Sequence, residues 1–226
     1  MGRLPEKESL VDIFRWRVKE SSESIVSKYK DRLLTYKEYD TNANKVAQGI
    51  INEGCKPNGR VAFLAKNSDQ FFEFLYGTMK SRTVAVGINW RLAPPEVSYV
   101  INDSKSEILF VGKEFYPIIR EIINEIPTIK KIISMDGESE WEHYIFWRDK
   151  FEAIDPFLES NIEDDVIQLY TSGTTGYPKG VQLTNKNFIK SNLMVEKTWG
   201  KDWHEGSANI ICSPVFHVAG ANMGIM

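Results

Sequence analysis

The stretch RVAFLAKNSDQFFEFLYGTMKSRTVAVGI, residues 60–88, decides how the chain folds. After Arg60 it opens with an unbroken apolar run over 61–65, the pattern of a strand covered on both faces, so a strand is expected over 60–65. Asn67 and Ser68 form a turn and can cap the next helix. Phe72, Leu75, Tyr76 and Met79 then recur at helical spacing. Residues 83–88, with Thr, Val and Ile, read as a second strand. Strand, helix and strand in one short stretch argue for a parallel pair joined by a covering helix.

The same alternation extends in both directions. Upstream, Leu10, Ile13, Phe14 and Val18 predict a helix that Ser9 can cap. A short strand is expected over 32–36. Thr35 and Glu38 fit a capping box, ahead of a helix carrying Tyr39, Ala43, Val46, Ala47 and Ile50. Gly54 stands where that helix should end. Downstream, Pro94-Pro95 opens a helix through Val97, Val100 and Ile101. A strand over 107–111, a helix over 118–126 and a strand over 130–134 come next. The whole reads as a layered α/β fold with largely parallel sheets. Residues 136–164 read as a partly helical, exposed stretch leading to a boundary. Strands are expected at 166–170, 181–183 and 209–212, with a helix after Thr184 or Asn185 through Phe188, Ile189 and Val195. This divides the chain into an α/β subdomain over 1–163 and the start of a second, incomplete one over 164–226.

Composition narrows the function. The chain has 226 residues, 28 basic against 31 acidic, for a net charge of −3. That balance speaks against a nucleic-acid binder, which carries a basic excess or stripe. The six tryptophans are scattered, so no base-stacking platform is expected. No apolar run approaches the ~18 residues of a membrane span. The first residues form no apolar signal core. Cys55 and Cys212 are isolated, which suggests a reducing compartment, the cytoplasm, and buried structural roles for both. His143 and His204 lack metal-ligand spacing and are expected at the surface, and no protein-made metal site is expected. Asp164-Asp165 read as a solvated lead-in to a strand, the charges at 28–32 as a solvated face, and Arg91 as structural.

The segment Tyr170-Thr171-Ser172-Gly173-Thr174-Thr175-Gly176-Tyr177-Pro178-Lys179-Gly180-Val181 joins two of the expected strands. Its glycines permit close backbone approach, its amides can form an anion-binding concavity, and Lys179 adds a full charge. It is neither a Walker A loop nor a nucleophile elbow. On composition alone it is equally a surface turn. The run 171–176, with Pro178, Lys179 and Gly180, resembles the phosphate-loop signature of the adenylate-forming superfamily. Asn89-Trp90-Arg91-Leu92 resembles the Asn-x-Arg-Leu segment of its acyl-CoA synthetase branch, and Pro214-Val215-Phe216-His217 the Pro-x-Phe-His segment beside the acyl pocket.

The resemblance runs from about residue 10 to the C-terminus and matches only the front part of the family's sequence. It implies the N-terminal part of the large domain of an acyl-CoA synthetase-like fold. It implies ATP-dependent activation of a carboxylic acid, of a fatty acid by preference, and transfer to coenzyme A, with Mg2+ on the phosphates. It puts Thr171, Ser172, Gly173, Thr174, Thr175, Gly176 and Lys179 on the nucleotide, Lys179 and Thr175 in catalysis, and His217 at the acyl pocket. The family's adenine, ribose and catalytic-lysine segments do not occur here, so the chain alone is expected to be inactive. Two other readings stay open: a non-catalytic nucleotide-binding or truncated remnant, and another ligase of the superfamily, such as a peptide-synthetase-type adenylation domain. A homo-oligomer is compatible with all of them.

Overall fold

Local capping chemistry starts the chain's first two helices where expected. In the computed structural model, which describes residues 9–171, 177–200 and 206–226, the Ser9 hydroxyl accepts from the Asp12 amide and opens α1 (Leu10–Glu20). A small antiparallel hairpin comes next, β1 (Ile25–Tyr29) and β2 (Arg32–Thr35). β1 is an addition to the expected strands; its mix of exposed and half-buried residues carries no strand period. The capping box is present at α2 (Tyr36–Asn52): Thr35 N donates to Glu38 at 2.8 Å and Glu38 N to the Thr35 hydroxyl at 3.2 Å. The chain continues through β3 (Arg60–Leu64), α3 (Gln70–Lys80), β4 (Val84–Gly87), α4 (Pro94–Ser104), β5 (Ser106–Val111) and α5 (Tyr116–Ile122). Then come β6 (Lys131–Ser134), β7 (Glu142–His143), α6 (Tyr144–Arg148), β8 (Asp165–Thr171), β9 (Lys179–Thr184), α7 (Asn185–Trp199) and α8 (Val218–Ile225). Asp69 caps α3, not Asn67 or Ser68, by accepting from the Gln70 amide at 3.0 Å.

Among the described residues, seven strands form one sheet in the order β7-β6-β5-β3-β4-β8-β9. Neighbours are parallel except β8 and β9. The sheet runs across residue 164 without a break. Alternate residues of each strand enter opposite layers, as a period of two requires. Val61, Phe63, Ala85 and Phe110 pack with α1, α2, α3 and α6. Ala62, Leu64, Val86 and Leu109 pack with α4 and α5. The chain passes from β3 to β4 in one direction, then back to β5 and β6 in the other. Right-handed crossovers then require helices on both faces. No helix among the described residues is long and apolar enough to cross a membrane.

Packing of α2 on α3 is close. A Cβ on Gly77 would stand 2.4 Å from Val46 Cγ1. Polar ties hold residues 144–155 to this layer. Lys80 is fully buried and pairs with Asp40 at 2.8 Å and with Asp155. Asp155 also accepts from Arg15 at 2.6 and 2.9 Å. Burial pushes its carboxyl up, but these hydrogen bonds outweigh that and hold it at about 2. Glu73 is buried and accepts from Tyr144 at 2.6 Å, Arg148 at 3.0 Å and Asn42 at 2.9 Å.

Four expectations need correction. Tyr144 and Trp147, in the stretch expected to be exposed, are buried in the core, where Trp147 packs edge-on against Phe110 at 5.4 Å. A five-residue helix is too short to show its period. Residues 209–212 join neither sheet, and Ile210 is 80% exposed. An apolar run becomes a strand only when a neighbour pairs its amides and carbonyls, and no described strand lies beside it. Cys212 is accordingly exposed, while Cys55 is buried. Asp164 and Asp165 are not merely solvated. Arg82 donates to both oxygens of Asp164 at 3.1 Å, and Arg60 pairs with Asp165 at 3.4 Å.

Candidate functional site at the carboxyl edge of the sheet

β3, β4 and β8 run parallel and end at one edge of the sheet. From that edge the chain enters α3 on one face after β3, and α4 on the other after β4. Where connections part in this way, a crevice opens at the carboxyl ends of the strands, the usual ligand position in open α/β sheets.

Residues 213–217 lie against this edge. Asn67, just beyond β3, donates Nδ2 to the Ser213 carbonyl at 2.8 Å, and its Oδ1 accepts from the Val215 amide at 3.0 Å. Gly87 ends β4 beside the backbone of Phe216. A Cβ there would stand 3.0 Å from Phe216 Cα and 3.1 Å from Leu169 Cδ2 of β8. At Gly220 a Cβ would stand 2.3 Å from the Pro214 carbonyl oxygen, so only glycine lets the first turn of α8 sit there. Phe216 meets Trp90 edge-on at 6.0 Å, and the Arg91 guanidinium lies 4.4 Å from the Trp90 ring centre. His217 is exposed and caps α8, its Nδ1 accepting from the Ala219 amide at 3.3 Å. That bond leaves the ring proton of the neutral imidazole to Nε2.

One strand over, Thr171 ends β8 and Lys179 opens β9, paired opposite each other. Both are exposed. Ser172, Gly173, Thr174, Thr175 and Gly176, the centre of the expected phosphate loop, lie outside the described residues. The stems are tied to α4. Tyr177 stacks on Tyr99 at 5.2 Å, and the Tyr99 hydroxyl donates to the Pro178 carbonyl at 3.2 Å. The Tyr170 hydroxyl donates to Asp103 at 2.6 Å; burial first, then that bond, raises the phenol above its ordinary range. Among the described residues, no three histidine, cysteine or carboxylate side chains gather to hold a metal ion.

All three sequence segments thus meet one edge: the loop stems after β8, the Trp90 segment after β4, and 213–217 against the ends of β3 and β4. Sequence reading did not find Asn67, Gly87, Tyr99 or Asp103 as parts of this arrangement. The hydrogen-bonding partners of Asn67, Tyr99 and Asp103 lie between 67 and 148 positions away in the chain, and no local pattern marks them.

Residues 14–226 match the family model described as AMP-binding enzyme. The chain belongs to that family. Among its relatives is the fatty acid–[acyl-carrier-protein] ligase ScoC of Streptomyces coeruleorubidus, 35% identical over 97% of the chain and 42% of ScoC. The long-chain-fatty-acid–CoA ligase FadD13 of Mycobacterium tuberculosis is 33% identical over 84% of the chain and 37% of its own length. The inhibitor-bound N-terminal domain of FACL13 from Mycobacterium tuberculosis superposes with a TM-score of 0.81 at 28% identity, over 97% of the chain and 54% of that structure. The chain spans about two fifths of the length of the curated relatives it matches. Its fold is that of the N-terminal part of such ligases.

Proposed function

We propose that this chain is the front part of an ATP-dependent ligase that activates a carboxylic acid, a fatty acid by preference, as its acyl-adenylate. The observation that carries the reading is the pairing of segments on adjacent strands. The Lys179 and Thr171 stems follow β8, and Phe216-His217 lies against β4 beside it. A polyphosphate and a carboxylic acid bound at these two places would be neighbours.

In the reaction, the acid's carboxylate attacks the α-phosphate, the bond to the β-phosphate breaks, and pyrophosphate leaves. A thiol then attacks the acyl carbonyl and AMP leaves. Ser172, Gly173, Thr174, Thr175 and Gly176 would cradle the β- and γ-phosphates through backbone amides and hydroxyls. Lys179 would offset the charge that grows on departing pyrophosphate, and fixed charges of this kind are the main catalytic resource for such a step. Thr171 and Thr175 would donate hydroxyls. Magnesium would arrive with ATP. His217 would border the acid, holding its Nε2 proton toward a polar partner while Nδ1 caps α8. The thiol is that of coenzyme A; the 35% identity to a ligase named for an acyl carrier protein favours a carrier-protein thiol as the second reading. Two lone cysteines support a cytoplasmic setting.

The chain alone is proposed to stop short of adenylation. Incubation of pure 1–226 with ATP, magnesium and a panel of fatty acids should yield no acyl-adenylate. One equivalent of acyl-adenylate per chain would overturn that part of the proposal. The acceptor is read by supplying coenzyme A and acyl carrier protein separately to the ligase of which this chain forms part.

A further inference from the structure

We infer that Tyr99 and Asp103 of α4 are positioning residues that set where Thr171 and Lys179 stand. The catalytic meaning of that position rests on the phosphate reading proposed above. The two residues are four apart on one helix and so share a face. Each holds a different stem of the hairpin. Tyr99 holds the outgoing stem twice, by stacking on Tyr177 and by donating to Pro178 O. Asp103 holds the incoming stem by accepting from Tyr170.

The stems also interlock with each other. Gln168 Nε2 donates to the Tyr170 hydroxyl at 2.9 Å, and this side chain passes over Gly180, where a Cβ would stand 2.4 Å from it. The far side of α4 is anchored. Val97, Val100 and Ile101 are fully buried against the sheet, and the Ala93 amide donates to Glu96 at 2.8 Å where the helix begins. β9, by contrast, is the outer strand of the sheet, and most of its residues are exposed. The ties to α4 therefore fix the outgoing stem from a rigid element. A lysine that meets a polyphosphate gains from being in place before the ligand arrives, because reorganisation then costs nothing at the moment of reaction.

The test uses the 226-residue chain with Tyr99→Ala, Tyr99→Phe, Asp103→Ala and Asp103→Asn. Hydrogen exchange should quicken at amides 170–171 and 179–181 in both alanine variants, and stay unchanged in β3 and β5. Asp103→Asn, which keeps an acceptor, should restore protection at 170–171. Tyr99→Phe, which keeps the ring stack, should restore part of it at 179–181. Affinity for inorganic pyrophosphate should fall about tenfold in Tyr99→Ala, the scale of one hydrogen bond with its ring stack. Unchanged exchange at the stems, or equal quickening throughout the sheet, would overturn the inference. Absence of pyrophosphate binding in the unaltered chain would instead sink the phosphate reading and leave the positioning to be decided by exchange alone.

Discussion

Replacing Asn67 with alanine tests how the acid-side segment is held. Two hydrogen bonds are lost, to Ser213 O at 2.8 Å and from Val215 N at 3.0 Å. Each is worth about 0.5–1.5 kcal/mol net. The partners differ in what remains to them. Ser213 is half-buried and its carbonyl can turn to water, whereas Val215 is 1% exposed and its amide keeps no replacement. An unpaired buried donor costs about 1–3 kcal/mol. Together these give about 2 kcal/mol. The loss falls on local opening of 213–226, since the sheet itself is untouched. Exchange of the Val215 amide should therefore quicken about thirtyfold, at about 1.4 kcal/mol per factor of ten. Asn67→Asp keeps an acceptor for Val215 but loses the donor to Ser213 and should fall between. Unchanged Val215 exchange in Asn67→Ala would refute the reasoning and mean that packing at Gly87 and Gly220 alone holds the segment.

Gly77→Ala should destabilise by about 1–3 kcal/mol in urea unfolding despite alanine's better helix propensity, because the new methyl overlaps Val46. Adding Val46→Ala should recover little of the loss, because the Cβ of residue 46 would still stand 2.7 Å from the new methyl. Asp155→Asn should cost about 3 kcal/mol at neutral pH, since it strips the buried Lys80 of one of its two anions. The native carboxyl is depressed to about 2, so its contribution is present above the unfolded value of ~3.9 and disappears as pH falls through about 2. The gap between variant and parent in an acid series should close across that window; a constant gap would count against the assignment. Alkylation at pH 8 should modify Cys212 within minutes and spare Cys55, whose thiol burial and nearby Glu107 push up to about 12. Equal reactivity would contradict the burial of Cys55.

How much the sequence discloses depends on the range of the interaction that fixes each element. Ser9, Thr35 with Glu38, and Pro94 act within one helical turn, and each begins its helix where expected. The apolar runs at 61–64 and 108–111 are long enough to declare strands buried on both faces. β1 is invisible because none of its residues is fully buried, so no apolar alternation marks it. Trp147 escapes a sequence reading because its burial is decided by Phe110 and Phe151, far off and near, rather than by a period. The apolar 209–212 run has the residues of a strand without a neighbour to pair with. At the candidate site, the loop motif singles out Thr171 and Lys179 as the proposed phosphate residues. The residues that hold their stems, Tyr99 and Asp103, lie 79 and 67 positions from their partners and carry no motif.

Titration of the chain with ATP, before and after Lys179→Ala, tests the central claim most directly. A loop that binds polyphosphate through this ammonium should give saturable binding that weakens by about 1.5–3 kcal/mol in the variant, roughly ten- to hundredfold, the scale of a hydrogen bond to a charged group. Binding of equal strength in the variant, or no saturable binding in either, would contradict it.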